Sequence, residues 1–165
     1  MKKNISYLLK LLGILRISGT AVAFYWGYKI GYTGTYDPIA QLHFMIPVII
    51  VAISGTSGLE GLFLGNESAK IKGFEVGSNY QRQSAIALLS YAVIAVVVYL
   101  CDWGIRSEFT ILFTFFFFIF FSAINHGVDA VKNKNYKFQN VNRPFLTLAL
   151  IIGLYYPVIM ALKTL

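Results

Sequence analysis

The chain has 165 residues, of which 57% are apolar, 16% aromatic and only 13% charged, and its net charge is +7. Soluble domains carry about 25% charged residues, so at a mean hydropathy of +0.65 there is too little polar surface to coat a globule in water. Disorder, collagen, a coiled coil and a nucleic-acid-binding domain are excluded, and the lone Cys101 excludes a disulfide-stapled scaffold. What fits is an all-α integral membrane bundle, one transmembrane helical domain over residues 1–165.

A bilayer core about 30 Å thick needs about 20 mostly apolar residues in a helix. In chain order the expected spans are 17–35, preceded by Leu-rich turns over 5–15, then 39–64, 84–101, 109–128 and 144–162. Lys2-Lys3 and Ala21-Val22-Ala23 imitate the ends of a signal peptide, but Lys10 and Arg16 interrupt the apolar region, so the first segment is expected to be retained. It carries Gly19, Ala23, Gly27 and Gly31 at four-residue intervals, and the second span carries Ser57, Gly61 and Gly65. These small-residue stripes are expected to meet and to let the two backbones approach closely.

Arg16 lies one turn before Gly19 and is expected to face protein. Lys29 lies about 200° around from Gly27 and is expected to snorkel outward. The fourth span holds seven phenylalanines between Phe113 and Phe121, read as lipid-facing bulk and core. In the fifth, Asn142 is the expected N-cap, Pro144 suits the first turn, and Pro157 should kink the helix.

Charge sets the expected direction of crossing. With five spans, one side holds Lys2, Lys3, Lys10, Arg16, Lys70, Lys72, Arg82, Lys132, Lys134, Lys137 and Arg143, and the other only Lys29, Arg106 and Lys163. Eleven against three places the N-terminus in the cytoplasm and the C-terminus outside, in a multi-pass protein of the inner (plasma) membrane. The expected partners are the lipid bilayer, with a membrane-protein partner or a second copy as further candidates, and no nucleic acid. The basic loop over Lys132–Lys137 suits anionic headgroups, at about 1 kcal/mol per basic residue.

Ionisable groups within spans are candidate functional sites by default. They and neighbouring polar residues gather toward the expected cytoplasmic side: Arg16, Glu60, Gln83, His126 and Asp129, with Glu67, Glu75 and Gln81 from the 19-residue loop Gly65–Gln83. Three readings compete: a hydrogen-bonded ion-pair network such as Arg16 with Glu60, a small-ligand or proton site built on His126, and a metal site. The last uses Glu60, His126 and Asp129 with Glu67 or Glu75, but such sites want a second histidine and His43 is at the far face. No metal and no cofactor is therefore expected. The outer polar residues, Glu108 among them, lie near helix ends where water is available. Nucleophile-elbow, zinc-protease, phosphate-loop and dinucleotide motifs are missing, and Glu60, Glu75 and His126 are all that speaks for an enzyme. The reading favoured is a non-enzymatic accessory subunit or small-ligand binder, with a transporter or ion pathway as alternative, although no internal repeat supports one.

One stretch, Ile71-Lys72-Gly73-Phe74-Glu75-Val76-Gly77-Ser78-Asn79-Tyr80-Gln81-Arg82-Gln83, resembles the shared loop of a group of small bacterial and archaeal membrane proteins of unknown function. Their loop reads Ile-Gly-Trp, a gap, then Gly-Ser-Pro-Phe-Gln-x-Glu opening a helix, and a histidine follows later, as His126 does here. Gly73, Gly77, Ser78, Tyr80 and Gln81 match in type, while Phe74 and Gln83 replace the Trp and the Glu. The resemblance covers about Leu59–Leu165 and implies no activity; it implies that Gln81 and His126 lie near one another.

Overall fold

Apolar runs long enough to satisfy their own backbone hydrogen bonds within one segment become helices, and they dominate this chain. The computed structural model describes residues 2–165, with side chains from Ile5 onward; Lys2 and Lys3, counted above in the charge balance, have side chains outside the described residues. The helices are α1 (Lys2–Gly31), α2 (Pro38–Phe63), α3 (Gly65–Lys72), α4 (Asn79–Leu100), α5 (Ile105–Lys132) and α6 (Phe138–Leu162), with no strand among the described residues. Five of them, all but α3, are long and apolar enough to cross a membrane.

Several boundaries differ from the hydropathy reading. α4 begins at Asn79, α5 extends past both expected ends, and the long loop contains α3. Hydropathy sees only the apolar part of a helix, and these helices continue into turns whose polar side chains are bonded. α6 is the clearest case. It starts after Lys137 without a side-chain cap, so Asn142 is not its N-cap and Pro144 sits inside the helix. α2, by contrast, is capped strongly: Asp37 accepts from the Ile39 and Ala40 amides at 3.0 and 2.9 Å, with Pro38 next in line.

α2 is the central helix, in contact with α1, α4, α5 and α6. Its Leu42, Met45, Ile46, Ile49 and Ile50 are buried with Ala23, Leu112, Phe115 and Leu154 in one core. Phe115 is fully buried while Phe117 and Phe121 are exposed, so the phenylalanine run does divide between core and outer surface.

The first two helices touch, but not stripe on stripe. Gly19 of α1 faces Ala52, Gly27 faces Met45 and Gly31 faces Gln41. The small residues of α2 turn the other way, Gly58 and Gly61 facing Leu89 and Ala85 of α4, and Gly65 at the start of α3 faces Gln81. A π turn over Val51–Gly55 lies immediately before this segment. A π turn inserts a residue and shifts helical phase, which a uniform 100° projection of the sequence does not anticipate.

The far end of the bundle is fastened by aromatics. Phe24 and Tyr28 of α1 and Tyr32 just past its end stack at four-residue intervals and continue onto Tyr36 and then Tyr156 of α6. Tyr28 donates to the Gly153 carbonyl at 3.1 Å, and Tyr36 donates to Gln41 Oε1 at 2.8 Å. Burial, with help from the neighbouring Tyr32 and Tyr156 phenols, pushes Tyr36 up to about 12, so it keeps the proton it donates. On the same end Glu108 is only 1% exposed and its Oε1 lies 2.6 Å from His43 Nδ1. The expectation that Glu108 stands in water is corrected: helix α5 starts four residues after the Cys101 turn, so Glu108 already faces the bundle.

Candidate functional site

Two helices, α1 and α3, bring three donors to one carboxylate on α2. Glu60 Oε2 accepts from the Arg16 guanidinium of α1 at 2.9 Å. Glu60 Oε1 accepts from Ser68 Oγ of α3 at 2.5 Å and from the Lys72 ammonium of the same helix. Ser68 and Lys72 stand i, i+4, and so share one face of α3. Arg16 is held from a second side, since its Nε donates to Thr56 Oγ1 at 3.2 Å. The Thr56 hydroxyl in turn donates to the Ala52 carbonyl inside the π turn. Glu60 is 5% exposed, and such a carboxylate is tolerated in the bundle because three donors and two positive charges surround it. Burial lowers the Lys72 pKa, the charge of Arg143 adds to that, and Glu60 opposes it. The unfolded chain therefore holds that proton to higher pH than the folded one.

A second network adjoins the first through the Lys72 backbone. Asn140 of α6 donates to the Lys72 carbonyl at 3.3 Å, and Asn135 donates to it at 3.1 Å. Asn140 Oδ1 lies 3.1 Å from His126 Nδ1, and Arg143 donates to His126 Nε2. Arginine offers only donors, so Nε2 is the acceptor and the ring proton is on Nδ1, pointing at Asn140. The imidazole packs on Phe74 of the α3–α4 connection, with ring centres 5.2 Å apart. Asp129 accepts from Asn133 at 2.7 Å and from Asn135 at 3.0 Å. The loop after α5 and the end of α3 are thus bound together by amides.

Between α1, α2, α3 and α6 lies a cavity of about 120 Å³. Arg16, Glu60, Ser68, Lys72 and Gln139 line its polar side, and Leu9 and Ile71 its apolar side. Arg16 and Lys72 spend only part of their hydrogen-bonding capacity on Glu60 and Thr56, because a guanidinium has five N–H donors and an ammonium three.

Of the residues expected in a site, Arg16 and Glu60 meet directly, and His126 and Asp129 belong to the adjoining network. Gln81 instead donates to the Gly65 carbonyl at 2.8 Å, so Gln81 and His126 engage different partners. Glu75 and Gln83 are exposed and stand apart from the ion-pair cluster. Of the carboxylates proposed for a metal, Glu60 and Asp129 are engaged in separate networks, and no group of three His, Cys, Asp or Glu gathers among the described residues. Sequence reasoning missed Ser68, Lys72, Thr56 and Arg143 as site residues. The i, i+4 pair Ser68 and Lys72, eight and twelve residues after Glu60, was the available signal; Lys72 and Arg143 counted only as topology charges.

A family model described as a family of unknown function (DUF6790) matches residues 38–164. No curated protein and no solved structure matches the chain.

Proposed function

The chain belongs to this family of unknown function, and from that premise we propose that it is a non-enzymatic, multi-pass protein of the inner membrane that binds a small anion from the cytoplasm. The cavity carries the reading. Its wall presents Arg16 and Lys72 with donors to spare, while its one carboxylate, Glu60, already accepts three hydrogen bonds. Arg143 adds a third positive charge felt at Lys72. A volume of about 120 Å³ holds about four waters, at roughly 30 Å³ each, or one small oxyanion. Glu60, Lys72, His126 and Arg143 fall within the family stretch and Arg16 outside it. The competing reading is a network that only fixes helix register.

Gly13 separates the two. It lines the cavity, and a Cβ built on it meets nothing within 4 Å, so Gly13→Leu puts apolar bulk into the space while leaving every charged residue in the chain. Phosphate, sulfate and acetate, titrated at constant ionic strength into the detergent-purified protein, are expected to raise its melting temperature. At a hundredfold excess over Kd the gain is about 2.7 kcal/mol, and Gly13→Leu should abolish it. No anion effect on the wild type, or an undiminished effect in Gly13→Leu, leaves the register network as the function of the cluster.

The orientation rests on the charge balance and has its own check. Cys101 is exposed at the end of α4 remote from Glu60. A membrane-impermeant maleimide should label it in intact cells; protection until lysis would reverse the topology.

A further inference from the structure

α5 and α6 leave between them an open groove of about 650 Å³ on the outside of the bundle. Its floor is made by Gly127 and Pro144, which offer no long side chain, and its walls by Phe120, Val131 and Leu148. A Cβ on Gly127 would lie 3.6 Å from the Pro144 ring, in ordinary contact, so the groove exists because both helices carry minimal bulk at the same level. Pro144 has this effect because α6 begins six residues before it, at Phe138.

Two features identify the occupant. The first is length. From Phe120 to Lys132 the groove follows thirteen residues of α5, a rise of about 18 Å at 1.5 Å per step, and one leaflet is half of a core of about 30 Å. The groove therefore runs the depth of a single acyl chain. The second is charge. Lys132 closes the groove at the polar end of α5 and is exposed, and the exposed Lys134 follows in the turn. A protein helix docking here would bring no reason for a cation at the mouth. A phospholipid brings a phosphate to that height.

We propose that this groove binds one anionic phospholipid, an acyl chain lying along Gly127 and Pro144 and the headgroup phosphate against Lys132. The proposal uses the reading of α5 and α6 as membrane spans and is independent of the anion cavity. An acyl chain leaving bulk lipid gains little from the apolar walls alone, so shape holds the chain and charge selects the headgroup, at about fivefold per basic residue.

The test is native mass spectrometry of the full chain released from nanodiscs of equal phosphatidylglycerol and phosphatidylcholine. One retained phosphatidylglycerol per chain is expected, enriched about fivefold or more over phosphatidylcholine. Lys132→Gln should remove the preference while leaving retention of a lipid, and Lys163→Gln, at the opposite end, should change neither. Gly127→Leu should expel the lipid; if that variant fails to fold, the Lys132→Gln result stands alone. Equal retention of both lipids by the wild type overturns the proposal, as does an unchanged preference in Lys132→Gln. A second copy of the chain held through Gly127 also overturns it, by assigning the groove to a dimer. Failure of the protein to enter the nanodisc overturns the reading of the helices as membrane spans.

Discussion

Glu60→Ala is expected to destabilise the protein by about 3–5 kcal/mol, the range for breaking a buried ion pair by removing one partner. The substitution strands Arg16, Ser68 and Lys72 around an empty position, and Arg143 then adds to an unopposed positive cluster. Glu108 is as buried, but the comparison is unequal. It has one partner, His43, and its Oε2 has none among the described residues. Glu108→Ala thus removes an unsatisfied atom along with a bond, and a cost of about 1–3 kcal/mol is expected. Glu75→Ala, on an exposed residue, should stay within about 0.5 kcal/mol. Thermal melting in one detergent ranks the three, and a Glu60→Ala variant as stable as Glu75→Ala would show that the cluster does not hold the fold.

The second large effect belongs to the interface of α2 with α4. A Cβ on Gly58 would lie 2.9 Å from the Leu89 amide nitrogen and 3.0 Å from the Ala85 carbonyl oxygen. Backbone cannot swing aside, so Gly58→Leu should part the two helices and collapse the folded yield. Gly61 allows a finer test, because its added Cβ would meet the Ala85 methyl at 2.6 Å. Gly61→Ala should cost about 1–3 kcal/mol through overpacking. Adding Ala85→Gly should restore most of it, and the pair keeps one glycine and one alanine in helices, so propensity cancels. If Ala85→Gly brings no recovery, α4 is not the surface that Gly61 touches.

The glycine stripes show how far a sequence pattern reaches. Small residues at four-residue intervals announced a close approach, and α1 does approach α2 closely. The partner of Gly61 was misassigned because the phase of α2 changes at Val51–Gly55, and no periodic projection carries that change. The polar cluster behaves similarly. Arg16 facing protein and Glu60 needing a cation followed from the cost of burying charge. Which loop residue would also answer Glu60 did not: Lys70 and Lys72 look alike in a polar connector, and only the face of α3 selects Lys72.

Five apolar segments, their approximate positions and the strong charge asymmetry between the two sets of loops were legible in the sequence alone, because hydrophobic length and charge are sums over residues that need no partner. The three donors on Glu60, the amide network around His126, the cavity beside Arg16 and the groove over Gly127 were decided by the tertiary structure. Each depends on the direction in which a side chain leaves its helix and on what stands opposite, and that direction is set by packing, by one π turn and by where α3 and α6 begin.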